Sequence, residues 1–152
     1  MRVLDLTCGR RGIWFDKSFP GAVYLDIRPE VAPDVVADAR ALPAEIGDCF
    51  DLVVFDPPHV NGGAKSNISR DYGHHTTAQI RDLIERGASE AHRVTRHGAL
   101  MSFKWSDHDQ SFETVLELLA RWWKPLFGTT TAVRTKHACS TQWIMLARQE
   151  AA

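Results

Sequence analysis

Cysteine is scarce in this 152-residue chain: Cys8, Cys49 and Cys139, none in a C-x-x-C pair. An odd count without paired spacing argues against a disulfide framework or a zinc site and for a reducing compartment. Long apolar runs are missing as well; none approaches the ~20 residues of a membrane span. Met1-Arg2-Val3-Leu4 enters a strand directly, so no signal peptide is expected. A cytoplasmic protein without membrane contact follows. Net charge is −1, which leaves no global pull toward nucleic acid. The charge is uneven, however. Up to Thr76 there are 8 basic and 11 acidic residues; from Thr77 on there are 10 basic and 8 acidic. Repeats and low-complexity stretches are also lacking.

What the chain does have is alternation. Short β-rich runs at Val3–Leu6, Ala22–Leu25, Asp34–Ala37 and Leu52–Phe55 are separated by turn-rich or helical segments. That alternation predicts βαβ units, a parallel sheet and one compact α/β domain over residues 1–152. About fifteen residues separate the first two runs, so the helix between them, around Gly12 to Ser18, is a turn or two at most. Helical spacing predicts a helix over Thr77–Val94, with Thr77 as N-cap, and another over Gln110–Trp123, stopped by Pro125. Ala99–Lys104 reads as a fifth strand. Phe127–Arg134 and Thr141–Arg148 read as a closing antiparallel hairpin.

Three of the first four runs end on an aspartate, Asp26, Asp38 and Asp56, and the first contains Asp5. Open α/β sheets bind ligands in the crevice at the carboxyl ends of their strands. Four carboxylates along that edge would make a site. Asp56-Pro57-Pro58-His59 is the most specific part. The two prolines have no N–H and a φ locked near −65°, so the turn is stiff and offers carbonyl acceptors without competing donors. A carboxylate, a carbonyl and a flat imidazole suit an exocyclic amino group on an aromatic base. Asp56 and the Pro57 carbonyl would take its two hydrogens, and His59 would stack on the ring, a contact worth roughly 1–3 kcal/mol. A strand-ending aspartate followed by helix-breaking prolines is the bland alternative. Residues 60–76, polar and then basic and aromatic, form a long segment beside this turn, read as a flexible substrate loop carrying Lys65, Arg70 and Tyr72. Lys104-Trp105 ends the fifth strand; Lys104 reaches phosphate or a cofactor carboxylate, or is a snorkelling lysine. His74-His75 lack an ordered acid or thiol partner, so no metal is expected.

These features together resemble the class I S-adenosylmethionine-dependent methyltransferases over nearly the whole chain. That resemblance implies a Rossmann-like, seven-stranded, mostly parallel sheet with a C-terminal antiparallel hairpin and reduced N-terminal helices. It implies S-adenosyl-L-methionine as cofactor. Asp5, Thr7, Cys8 and Gly9 would lie along the methionine part, Asp26 and Ile27 at the ribose, Asp38 and Ala39 at the adenine, and Asp56 beside the methyl group. Asp26 stands seventeen positions after Gly9, near the roughly 20 expected of a ribose-binding acid. Asp56-Pro57-Pro58-His59 is similar to the (Asp/Asn)-Pro-Pro-aromatic motif of amino-methyltransferases, with His59 in place of the larger aromatic. Ile13 to Lys17, Phe103 to Trp105 and Pro125 to Gly128 resemble small, phage-associated members. The family's usual glycine spacing is replaced by Gly9-Arg10-Arg11-Gly12, so the cofactor turn must differ.

The resemblance implies an N-methyltransferase acting on a nucleic-acid base, DNA adenine N6 first and cytosine N4 next. RNA, a small-molecule amine, or a non-catalytic cofactor-binding subunit are the alternatives. Neither the N-terminal cofactor-covering helix nor a target-recognition domain is expected, so a homodimer or a separate recognition subunit would supply that surface. Lys65, Arg70, Tyr72, Lys104, Trp105 and His59 are the expected substrate contacts.

Overall fold

The computed structural model describes residues 1–47, 49–59, 75–130 and 140–150. Seven strands form one sheet in the order β3-β2-β1-β4-β5-β7-β6. They are β1 (Val3–Asp5), β2 (Ala22–Asp26), β3 (Val35–Val36), β4 (Phe50–Phe55), β5 (Thr95–Ser106), β6 (Trp123–Thr130) and β7 (Thr141–Arg148). β1 to β5 pair in parallel, while β7 runs antiparallel to both β5 and β6. The chain order reverses where β1 lies between β2 and β4, and a crevice opens there at the strands' carboxyl ends. Leu4, Val53 and Phe55, which the register places on one face of the central strands, are fully buried.

Two α-helices are described, α1 (Thr77–Arg93) and α2 (Phe112–Leu119). The N-cap of α1 is Thr76, one residue before the expected Thr77. Its hydroxyl accepts from the Gln79 N–H while the Gln79 side chain accepts from the Thr76 N–H. This reciprocal pair satisfies two end groups of the first turn and sets the boundary. Ile80, Ile84, Ala88 and Ala91 bury the inner face. Gly87 lets α1 close on the sheet: a Cβ there would stand 3.0 Å from Phe55 Cζ.

Two expectations are corrected. No helix spans Gly12 to Ser18; the connection is turns and bends. Side chains hold it instead. The Arg11 guanidinium donates to the Lys17 carbonyl at 2.7 Å and the Ala32 carbonyl at 3.1 Å, and lies 3.9 Å from the centre of the Tyr24 ring. The second helix ends at Leu119, and Pro125 lies inside β6. Trp123 decides this. It pairs with Arg148 as the first residue of β6, and its buried indole N–H donates to the Ala88 carbonyl at 2.9 Å. β6 is an edge strand, where a missing N–H is tolerated, and its register shifts between Pro125 and Phe127.

β5 is longer than expected, because its first residues pair before a bulge. A step from Phe50 to Leu52 on β4 matches a step from Thr95 to Leu100 on β5, with Gly98 at φ +76 in the excess. Among the described residues no helix is long and apolar enough to cross a membrane.

Candidate functional site

A cavity of about 1000 Å³ opens at the carboxyl ends of β1 to β4, at the upper end of the roughly 300–1,000 Å³ range of small-molecule sites. Thr7, Cys8 and Gly9 form the turn along one wall. Gly9 has φ +50, a left-handed conformation that glycine adopts without strain. Its N–H donates to Asp26 Oδ2 at 2.8 Å, which ties the turn after β1 to the end of β2.

Asp26-Ile27-Arg28 forms the next wall and Asp38-Ala39-Arg40 the one after it. The two tripeptides close in the same way. Asp26 Oδ1 accepts from the Arg28 backbone N–H at 3.0 Å and from Arg28 Nε at 2.9 Å, and Oδ2 accepts from Nη2 at 3.1 Å. Asp38 Oδ1 accepts from the Arg40 backbone N–H at 2.9 Å and from Nε at 3.0 Å, and Oδ2 accepts from Nη2 at 2.7 Å. Burial pushes the Asp26 carboxyl up, but the bonds from Arg28 and the Gly9 N–H outweigh it and hold it below its ordinary value. The Arg40 bonds hold Asp38 below its ordinary value too. Both acids are therefore ionised at neutral pH. Arg28 and Arg40 were not foreseen as cavity residues; the repeated Asp-X-Arg at two strand ends was the signal for them. Ile27, Ala39 and Leu83 add apolar surface between the charges.

At the far end stand Asp56, Pro58 and Lys104. The Asp56 backbone N–H donates to Thr7 Oγ1 at 3.2 Å, and Lys104 Nζ donates to Asp56 Oδ2 at 2.8 Å. His75 and Gln79, at the start of α1, also line the cavity and were not expected there.

The structure therefore brings Thr7, Cys8, Gly9, Asp26, Ile27, Asp38, Ala39, Asp56, Pro58 and Lys104 to one cavity. It does not bring Asp5, Pro57, His59 or Trp105 to the cavity wall. Trp105 is fully buried, stacked on Phe103, with its indole N–H donating to the Gln110 carbonyl at 3.0 Å. The His59 ring stands edge-on to Trp105, and its buried Nδ1 has no hydrogen-bond partner among the described residues. Burial lowers its basicity, so it is neutral at physiological pH. Lys65, Arg70 and Tyr72 lie outside the described residues. Among the described residues no group of three or more His, Cys, Asp or Glu side chains is placed to hold a metal ion.

Two buried groups, Cys8 in the wall and Asp5 behind it, are chemically quiet. Burial, then the Asp5 charge, pushes the Cys8 thiol up to about 12, so it is not a nucleophile near neutrality. Asp5 is fully buried and accepts from Trp14 Nε1 at 2.7 Å. Burial raises its pKa from 3.8 to about 6 against the pull of that bond, with Asp56 and Asp26 adding repulsion. The folded pKa exceeds the unfolded one, so the folded state holds the proton more tightly. Stability falls as pH rises from about 4 to 6, then levels off about 3 kcal/mol below its acid value if this group acts alone. Asp5→Asn removes the titration and keeps an acceptor for Trp14. Its melting temperature is expected to exceed wild type above pH 7 and to converge with it near pH 4, as read by thermal denaturation across pH. A gap independent of pH would show that Asp5 does not carry the buried charge.

No protein-family model and no curated protein matches the sequence. Solved structures do match, and with them the chain shares the class I S-adenosylmethionine-dependent methyltransferase fold. One is the N-methyltransferase NodS from Bradyrhizobium japonicum WM9 in complex with S-adenosyl-L-homocysteine, at TM-score 0.65 and 14% identity over 98% of this chain and 78% of that one. Another is a TehB-like SAM-dependent methyltransferase from Corynebacterium glutamicum, at TM-score 0.65 and 17% identity over 97% and 80%. A third is the 16S rRNA (adenine(1408)-N(1))-methyltransferase from Catenulisporales acidiphilia, as a W203A mutant, at TM-score 0.59 and 12% identity over 97% and 85%.

Proposed function

We propose that this chain binds S-adenosyl-L-methionine in the cavity and transfers its methyl group to an exocyclic amino nitrogen of a nucleic-acid base, DNA adenine N6 or cytosine N4 before others. The observation that carries the reading is Asp56, an acid at the end of β4 inside the cavity, set on the stiff Pro57-Pro58 turn and anchored by Thr7 and Lys104.

The residues present fit such a cofactor. The Gly9 turn leaves room, since a Cβ there would approach only the end of the Arg28 side chain, at 3.5 Å. Asp26 is an ionised acceptor for ribose hydroxyls. Its oxygens already receive Gly9 and Arg28, so a diol would exchange with the Arg28 guanidinium rather than meet a bare carboxylate. Asp38 and the apolar Ile27, Ala39 and Leu83 suit the edge and faces of a purine. When bound, the cofactor supplies an electrophilic methyl group on a sulfonium.

The chain's part is to align and to accept. An exocyclic amine is conjugated with its ring and weakly nucleophilic. A hydrogen bond from the amine to Asp56 draws the nitrogen toward tetrahedral geometry and frees its lone pair. Holding that lone pair in line with the methyl group supplies much of the barrier reduction. With the cofactor held at Asp26 and Asp38, the amine would take its methyl group, and Asp56 would accept the proton lost from the nitrogen and pass it to solvent. A base in a duplex must first leave the stack.

An RNA base is the second reading. It is favoured by the likeness in fold to an enzyme named for methylating rRNA adenine. Label from methyl-tritiated cofactor, offered to mixed-sequence DNA, mixed-sequence RNA, free nucleosides and a primary alkyl amine in parallel, tests the proposal. Label is expected in DNA, or in RNA under the second reading. Label only in the alkyl amine would reject the nucleic-acid assignment.

A further inference from the structure

β4 and β5 run in parallel with Phe55 opposite Phe103. The next residues, Asp56 just past the end of β4 and Lys104 still inside β5, therefore stand side by side at the same end of the cavity. Lys104 Nζ donates to Asp56 Oδ2 at 2.8 Å and lies 5.7 Å from the centre of the Trp143 ring, which stands opposite it on β7. Both charged side chains remain partly open to the cavity, Lys104 at 24% and Asp56 at 21%.

Asp56 Oδ1 takes no hydrogen bond among the described residues. The lysine ammonium has three hydrogens, of which Asp56 uses one. The cavity end thus offers an acceptor and a donor next to each other. The complementary ligand edge is an amino group beside a ring nitrogen with a free lone pair, H₂N–C=N. Adenine presents it at N6 and N1, cytosine at N4 and N3. An alkyl amine lacks the second position, and as an ammonium ion it meets the Lys104 charge.

We propose that Lys104 is a specificity-determining residue that donates to the ring nitrogen flanking the acceptor amine, so that Asp56 and Lys104 together read an H₂N–C=N edge. This rests on the role given to Asp56 above, and the experiment separates the two. Methyl transfer is measured on randomised single-stranded DNA pools made with adenine or 1-deazaadenine, and with cytosine or 3-deazacytosine. The deaza bases keep the amine and lose the ring nitrogen. Wild type is expected to lose about tenfold or more on the deaza pools, the scale of one charge-assisted hydrogen bond. Lys104→Met should lose a similar factor on natural pools and lose under about threefold more on deaza pools, because the contact is already gone. Lys104→Arg should keep the discrimination. Binding of cytidine against 3-deazacytidine, followed by NMR with S-adenosylhomocysteine saturating the cofactor site, should show the same preference without turnover.

Wild type indifferent to the deaza bases would overturn the proposal. So would equal deaza losses in wild type and Lys104→Met. If Lys104→Met does not fold, the wild-type response and the NMR preference decide alone. No transfer to either natural pool is a different failure, that of the DNA reading itself, and the same comparison is then made on RNA pools.

Discussion

Asp56→Ala is expected to lower the turnover number by about 100- to 1,000-fold, the usual cost of deleting one preorganised polar group at a reacting centre. Affinity for S-adenosylhomocysteine should stay within about threefold, because the proposed cofactor contacts at Asp26 and Asp38 are untouched. The combination matters more than the loss. Asp56 sits where β4 ends, its backbone N–H on Thr7 and one carboxylate oxygen on Lys104. Truncation removes the remaining oxygen and leaves the Lys104 cation without its partner at the site. Asp56→Asn keeps an acceptor at lower charge and should fall between wild type and alanine. Full turnover in Asp56→Ala, with unchanged melting temperature, would remove Asp56 from the chemistry.

Asp26→Ala is expected to weaken S-adenosylhomocysteine binding by about 10- to 100-fold in titration calorimetry, from hydrogen bonds to a charged group worth about 1.5–3 kcal/mol. The low end is favoured by the structure itself. Four donors already converge on the carboxylate, so the ribose gains only the difference between its own bonds and the Arg28 bonds it replaces. The variant also releases the Gly9 N–H, the link between the β1 turn and β2, so part of the loss is a loosened turn. Asp26→Asn, which still accepts from Gly9, separates these effects. If Asp26→Ala binds as wild type does, the ligand does not place its ribose there.

Much of this architecture is legible in the sequence because the parallel strands are short apolar runs that end in polar residues. Val3 to Asp5, Ala22 to Asp26 and Phe50 to Phe55 are read to within a residue or two for that reason. The cavity residues at strand ends follow from the same punctuation, including Asp26, Asp38 and Asp56. Where reading fails, a distant contact outweighs the local pattern. Trp122-Trp123 continues a helical spacing, yet pairing with β7 and the Ala88 carbonyl takes Trp123 into a strand. The connection after β1 contains helix-forming residues, yet Arg11 binds carbonyls six and twenty-one positions away and no helix forms. Trp105 looks like a surface aromatic beside a lysine, but alternation along β5 sends Lys104 to the cavity and Trp105 to the core. The arginines of the two Asp-X-Arg turns were visible as residues. Their closure on the preceding acids was not, since the same tripeptide on a free surface leaves the arginine in water.

The most direct test of the account is to identify the methylated atom. Nucleosides from DNA and RNA incubated with the protein and deuterated-methyl cofactor are digested and resolved by mass spectrometry against N6-methyladenine, N4-methylcytosine and ring-methylated standards. The account predicts the labelled methyl group on an exocyclic amino nitrogen, present with wild type and reduced about 100-fold or more with Asp56→Ala. Label on carbon 5 of cytosine, on a ring nitrogen, or on no nucleoside at all would contradict it.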